Sequence, residues 1–260
     1  MGDGGETVRQ ERDGPVAVLT LANGARRNAL SLPLRAALIA ALERAFADRA
    51  CRAIVLTGEG DHFCAGGDIT GMTGLDAVAG RDRVLALGRI ARLIVGGEKP
   101  VVAAVEGHAA GAGLSLAALC DIVVASRTAR FTCSFNKLGL VPDLAASFVL
   151  PLRMGLGRAK LLMLSGRTLD AEAAERGGLV EIVAEAGQAR AEALALAHEL
   201  AAKAPLSNAY AKALLARMPR DLEEMLRAEA DAQAILFTSQ DFDEGRRAFG
   251  EKRAAVFEGR

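Results

Sequence analysis

Two loops of small residues and one isolated carboxylate are the parts of this sequence best suited to chemistry. The first loop, Phe63-Cys64-Ala65-Gly66-Gly67-Asp68-Ile69, sets two adjacent glycines before an aspartate. Paired glycines clear side chains where a backbone must bend sharply or approach a ligand. The aspartate can cap the free N–H groups of a helix start. The second loop, Glu106-Gly107-His108-Ala109-Ala110-Gly111-Ala112-Gly113, is small from Gly107 onward except at His108. It follows the apolar run Val101 to Val105 and precedes another, Leu114 to Leu119. In a strand, small-residue loop and helix, the unpaired N–H groups of the helix start point outward at an anion. The loop is not a dinucleotide fingerprint, because Leu116 stands where a third glycine would be, and no Gly-Lys-Ser/Thr follows to make a phosphate loop. Singly, either loop is also what a tight turn or close helix–strand packing requires. Both follow strands, where ligand crevices form in parallel sheets, and two backbone donors can hold one oxyanion.

The carboxylate is Asp143, in Leu138-Gly139-Leu140-Val141-Pro142-Asp143-Leu144, with Phe135 and Phe148 near it in sequence. Its structural role would be to cap a helix starting at Leu144, which does not exclude catalysis. A carboxylate in apolar surroundings has its pKa raised and suits general-base work near neutral pH. Ser115 sits in Gly113-Leu114-Ser115-Leu116-Ala117, one glycine short of a nucleophile elbow. Of the three histidines, His62 and His108 fall in loops and His198 in a helix, and only His108 is near the proposed site.

The elements that must position these groups alternate. Val16 to Leu21 is expected as a strand. Ser31 then caps a helix striped by Leu34, Leu38, Ala41, Leu42, Ala45 and Phe46, with Arg35, Glu43 and Arg44 off the stripe. Ala53 to Thr57 is a second strand, and a helix carries Val84, Leu87, Ala91, Ile94 and Val95. Strands are expected at Val101 to Val105, Ile122 to Ala125 and Val180 to Val183. Such alternation predicts an α/β fold with a largely parallel sheet. From Gln188 onward the pattern is helical only, punctuated by Pro205 and Pro219.

Composition removes several classes of function. Lys+Arg and Asp+Glu are both 32, so there is no basic excess for nucleic acid. No run of about 20 apolar residues predicts a membrane span, and no cationic stretch leads into an apolar segment as in a signal peptide. Cys51, Cys64, Cys120 and Cys133 form no C-x-x-C pair and have no histidine at metal-ligand spacing. Reduced, packed thiols and a cytoplasmic location are therefore expected, with no metal.

Five segments in register resemble the enoyl-CoA hydratase/isomerase (crotonase) superfamily. Phe63 to Ile69 resembles its F-x-A-G-x-D segment, and Gly107 to Asp121 its G-x-A-x-G-x-G-x-x-L-A-x-x-C-D segment. Arg27-Asn28-Ala29-Leu30 resembles the early N-A-L motif. Lys99 to Val105 resembles the strand before the second loop, and Ser239 to Arg253 the C-terminal signature. The resemblance implies a crotonase fold: a ββα superhelical core over residues 8–187 and a helical trimerisation subdomain over 188–260. It implies acyl-CoA thioester substrates, no cofactor beyond the coenzyme A carried by the substrate, and a homotrimer or a hexamer made as a dimer of trimers. Carried over by position, Gly67 and Ala112 donate the oxyanion N–H groups, Ala112 standing where the family usually has glycine. Arg26, Arg27, Ala29, Ala65, Asp68 and Ile69 fall where the family contacts the coenzyme. Phe249 and Lys252 fall where the tail reaches a neighbour's coenzyme site.

The two hydratase glutamates correspond to Ser115 and Phe135, neither of which is a carboxylate. Asn136 to Asp143 resembles epoxyphenylacetyl-CoA isomerases and related enoyl-CoA isomerases, in which the matching aspartate shuttles a proton. The same position is the nucleophile of 4-chlorobenzoyl-CoA dehalogenase, but that enzyme's base histidine corresponds to Gly88 here, and its tryptophan to Phe135. The expected activity is thus double-bond isomerisation of an enoyl-CoA, with Asp143 as acid and base. The alternatives are a hydratase using Asp143 with water, or an acyl-CoA-binding protein with lost chemistry. The intact Asp143 speaks against the last, because an apolar setting makes a polar side chain costly to keep without a role.

Overall fold

Short aliphatic runs bounded by glycine, proline or charge cannot complete a helix face and instead pair as strands. The computed structural model describes residues 7–72, 74–216 and 221–260. Its elements in chain order are β1 (Thr7–Asp13), β2 (Val16–Ala22), α1 (Leu32–Ala47), β3 (Ala53–Gly58), α2 (Ala77–Gly96), β4 (Val101–Val105), β5 (His108–Ala110), α3 (Ala112–Leu119), β6 (Ile122–Ser126) and β7 (Arg130–Thr132). There follow α4 (Ala146–Met154), α5 (Leu156–Ser165), β8 (Thr168–Asp170), α6 (Ala171–Arg176), β9 (Ile182–Ala184), α7 (Ala189–Ala201), α8 (Pro205–Leu215), α9 (Leu222–Leu236) and α10 (Gln240–Glu251).

The main sheet has the order β1-β2-β3-β4-β6-β9. Only β1 and β2 are antiparallel; the remaining pairs are parallel. A second sheet, β5-β7-β8, takes two of its strands from segments that leave the C-terminal ends of main strands and the third, β8, from the chain after α5. β5 follows β4, and β7 follows β6. The loop after β3 joins this sheet through a parallel bridge between Cys64 and Ala109, and the loop after β2 joins the loop after β3 through a bridge between Leu30 and Gly67. Each passage of the chain therefore gives one strand to the main sheet and one extended rung to the second layer. α1, α2 and α3 then carry it back. This is the expected ββα superhelix.

Alternation along the strands separates two cores. Ala17, Leu19, Leu21, Ile54, Leu56, Ala103 and Val105 face one cluster with α1, α2 and α3. Val16, Val18, Ala53, Val55, Val102, Ala104 and Val124 face the other, where α7 presents Ala189, Ala193, Ala197 and Ala201 at four-residue spacing. Alanine at each fourth position gives α7 a smooth stripe. The helical segment expected from Gln188 thus opens with a layer over the sheet. Glu106, at the end of β4, accepts the Ala189 N–H at 2.9 Å and ties the second loop to the start of α7.

The structure departs from the sequence reading at several points. β1, β5, β7 and β8 carry too few consecutive apolar residues to be recognised, and β1 is a charged edge strand, which discourages edge pairing. The strand expected at Val180 to Val183 runs over Ile182–Ala184. Leu179 and Val180 pack instead in a turn closed by their N–H groups on the Ala174 carbonyl. The helix expected from Leu144 begins at Ala146, because Leu144 and Ala145 have φ of 51° and 59°. Pro219 lies outside the described residues. Among the described residues, no helix is long and apolar enough to cross a membrane.

Asn28 locks the loops that lead to the site. It is fully buried with φ of 57°, a conformation that asparagine tolerates better than most residues. Its side chain accepts from the Asn23 N–H (3.0 Å) and donates to the carbonyls of Glu59 (3.0 Å) and His62 (2.8 Å). Asn28→Ala strands all three partners and is expected to cost on the order of 3 kcal/mol. A lowered urea midpoint with retained helix content checks this; an unchanged midpoint refutes the role.

Candidate active site

The first and second loops meet backbone to backbone. Cys64 donates to the His108 carbonyl and accepts from the Ala110 N–H, both at 3.0 Å. A β-carbon on Gly113 would lie 2.2 Å from the Cys64 carbonyl oxygen, so the approach exists only with glycine there. Gly111 takes φ of 51° and turns the chain into α3. Ala112 is then the first residue of α3, where N–H groups have no partner within the helix. The positive φ of this turn falls on Gly111, so alanine at 112 carries no left-handed strain, and its methyl packs in the main core. Gly67 lies at the end of the first loop, where Leu30 donates to the Gly66 carbonyl at 2.7 Å. The two residues expected to donate to an oxyanion thus sit at the converging ends of two paired segments.

Asp143 is half-buried, and its Oδ1 is buried without a hydrogen-bond partner. It does not cap α4: the N-cap is Ala145, with no side-chain cap bond. Burial pushes its carboxyl above the usual range, against the opposing pull of the Arg35 and Arg83 guanidinium groups. Of the nearby aromatics, Phe135 is buried in the core while Phe148 is 47% exposed.

Arg35 is the residue that sequence reasoning missed. Assigned to the outer side of the first helix, it is 6% exposed and donates from Nε to the Leu30 carbonyl at 2.8 Å. In the first turn of a helix a long side chain leans back toward the N-terminus, which here carries Arg35 toward the Leu30–Gly67 bridge. That lean was the available signal. Arg83, on α2, donates from Nη2 to the Asp68 carbonyl at 3.3 Å.

The residues expected to contact coenzyme A are brought together, with one exception. Arg26 pairs with Asp68 at 2.8 Å, and the Ala65 N–H donates to the Arg27 carbonyl at 2.9 Å. The Ala29 N–H donates to the Arg26 carbonyl at 3.1 Å, and Ile69 is exposed next to Asp68. Asp68 is held well below the carboxylate range by its bonds to Thr70 and then by Arg26. Lys252 stands apart as the C-cap of α10, with no hydrogen bond to this group among the described residues. A groove of about 580 Å³ bordered by Val95, Phe148, Leu152, Lys212 and Leu215 contains none of these residues.

The enoyl-CoA hydratase/isomerase family profile matches residues 11–260. The chain belongs to this family. It is 39% identical over 258 residues to a Rhizobium meliloti (strain 1021) protein named as a probable enoyl-CoA hydratase, covering 98% of this chain and 99% of that one. It is 34% identical over 254 residues to crotonyl-CoA hydratase of Syntrophomonas wolfei, covering 97% and 98%. The crystal structure of an enoyl-CoA hydratase from Polaromonas sp. JS666 superimposes with a TM-score of 0.92 at 36% identity, covering 96% of this chain and 99% of that chain. This enoyl-CoA hydratase/isomerase family enzyme therefore has the crotonase fold expected from its motifs.

The two positions expected to correspond to the hydratase glutamates are occupied by core residues. Ser115 is fully buried and its Oγ donates to the Gly111 carbonyl at 3.3 Å, while Phe135 is 7% exposed. His108 is exposed on β5 against His62, with ring centroids 5.1 Å apart. His198 is paired with Asp13 at 3.3 Å. The four cysteines are buried and unpaired, and burial pushes the Cys64 thiol up to about 12.

The raised pKa of Asp143 has a consequence for stability. The folded state holds the Asp143 proton more tightly than the unfolded state, so stability falls as pH rises from the ordinary aspartate value into the raised range. Asp143→Asn removes that penalty. The variant is expected to melt above wild type at neutral pH, with the gain fading as pH falls toward about 3.9. Thermal melts across this range check the sign; a destabilised variant at neutral pH would mean that the arginines outweigh burial.

Proposed function

We propose that this enzyme isomerises the double bond of an enoyl-CoA, with Asp143 as its single acid and base. The observation that carries the reading is a buried, unpartnered carboxylate oxygen in a chain whose two glutamate-equivalent positions hold a buried serine and a buried phenylalanine. Gly67 and Ala112 offer their N–H groups to the thioester oxygen. Charge developing there during proton removal meets donors that need no reorganisation. Asp143 takes a proton from one carbon of the acyl chain, the enolate forms, and the protonated Asp143 returns the proton at another carbon. Burial supports this by keeping the aspartate basic enough to accept a proton.

Hydration is the second reading, supported by the names of the relatives. In that version Asp143 activates water for addition to the double bond, and the same two N–H groups stabilise the same enolate. The coenzyme is proposed to lie along Arg26, Arg27, Ala29, Ala65, Asp68 and Ile69. A trimer or hexamer accompanies both readings: Phe249, on α10, is 89% exposed in the single chain, as a residue that meets a neighbour would be. Lys252 belongs to the same proposal.

Incubation of 2-enoyl and 3-enoyl thioesters in deuterated water separates the readings. Isomerisation interconverts the two with no hydroxyacyl product, deuterium entering the acyl chain to the extent that protonated Asp143 exchanges with solvent; hydration yields a hydroxyacyl product and loses the enoyl absorbance; a binding protein does neither. Asp143→Asn is expected to lower the turnover about 10²–10⁴-fold while the fold survives. Turnover near that of wild type would remove Asp143 from the mechanism.

A further inference from the structure

We propose that Arg35 and Arg83 form an anion subsite beside the oxyanion loops, and that the acyl group of the substrate carries a second carboxylate. The proposal deepens, and rests on, the acyl-CoA reading above. It starts from an imbalance of buried charge. Arg35 is 6% exposed, and its Nη2 stands 3.5 Å from the place a β-carbon on Gly67 would take. Arg83 and Asp143 both act on it electrostatically. Arg83 has a buried Nε with no hydrogen-bond partner, and Asp143 has a buried Oδ1 in the same condition. Three buried side-chain atoms without partners are found among the described residues, and two of them belong to this cluster. Asp68, the other carboxylate near Arg35, is already paired with Arg26. Two guanidinium groups therefore share one carboxylate, which bonds to neither through Oδ1.

Arg83 is only half-buried as a residue, but a guanidinium nitrogen buried without a partner next to a buried Arg35 is costly unless an anion meets it. Arg35 and Arg83 also oppose one another, since burial and the Arg83 charge both lower the Arg35 pKa. The enolate is not the missing anion. It exists only during turnover, and the two backbone N–H groups already face it. The phosphates of coenzyme A are not the missing anion either, because exposed Arg26 and Arg27 lie on the family's coenzyme path whereas Arg35 is buried beside Gly67. A carboxylate on the acyl chain is present from the moment of binding, and it matches the planar fork of a guanidinium.

Titration calorimetry with pentanoyl-CoA and glutaryl-CoA tests this directly. The two share the nucleotide and the chain length and differ by a methyl against a carboxylate. Glutaryl-CoA is expected to bind about 10-fold or more tightly at low salt, and the ratio is expected to shrink as salt is added. Arg83→Met and Arg35→Met should each reduce the ratio several-fold. If Arg35→Met does not fold, Arg83→Met carries the test from a half-exposed helix position. Equal or tighter binding of pentanoyl-CoA overturns the subsite, and an unchanged ratio in both variants overturns its assignment to these arginines. Binding of neither thioester is a distinct result: it removes the acyl-CoA reading and the subsite with it.

Discussion

The arrangement of this molecule depends on one close approach, that of the Cys64 carbonyl to the backbone of Gly113. Any side chain at Gly113 would put a β-carbon 2.2 Å from that oxygen. Because the contact is made by backbone, it fixes the two loops in register more tightly than side-chain packing would. The Cys64–Ala109 bridge sets the alignment, and Gly111 turns the second segment into α3 with its first N–H groups unspent. The main sheet contributes by delivering both loops at the C-terminal ends of neighbouring strands, β3 and β4. The superhelical layout is thus a way of stacking loops until two of them touch at one point.

Among the described residues, buried side-chain polar atoms outside the site are met by partners, with Thr20 Oγ1 the one exception, and this gives the site its contrast. Asp121 accepts from the Val101 N–H and from Lys212, and Asp241 accepts from the Glu258 and Gly259 N–H groups. Lys99 donates to the carbonyls of Ala45, Phe46 and Asp48 at the end of α1. Asp143 and Arg83 depart from this habit, and both lie near Arg35. Unmet buried polar atoms cost stability, so their concentration at one place marks ground kept open for a ligand.

Membership of the family fixes the kind of chemistry more firmly than its outcome. Relatives named as hydratases share the fold and more than a third of the residues. Oxyanion stabilisation is common to hydration and isomerisation, so loop geometry does not separate them. What separates them is the set of groups able to move protons. We propose that in this chain the set centres on Asp143, because Ser115 and Phe135, the positions expected to match the hydratase glutamates, are packed in the core.

The sequence by itself determined the strands with unbroken aliphatic runs, the capped helix after Ser31 and the helical stretch from Gln188, because periodicity and capping are local properties. It also determined the two glycine loops and the isolated Asp143, whose residue types are unusual for their neighbourhoods. The short strands β5, β7 and β8 were decided by tertiary structure, since three residues carry no period and pair only when the main sheet presents them side by side. Helix capping was the structural alternative for Asp143, but the left-handed turn at Leu144 and Ala145 leaves its side chain without a cap bond. Arg35 is the clearest case. A charged residue off the apolar stripe belongs in solvent by pattern alone, yet its lean over the first turn of α1 buried it beside Gly67. Burial of a charge depends on what other segments bring against it, and those segments, around Gly67, Arg83 and Asp143, are distant in the chain and adjacent only in the fold.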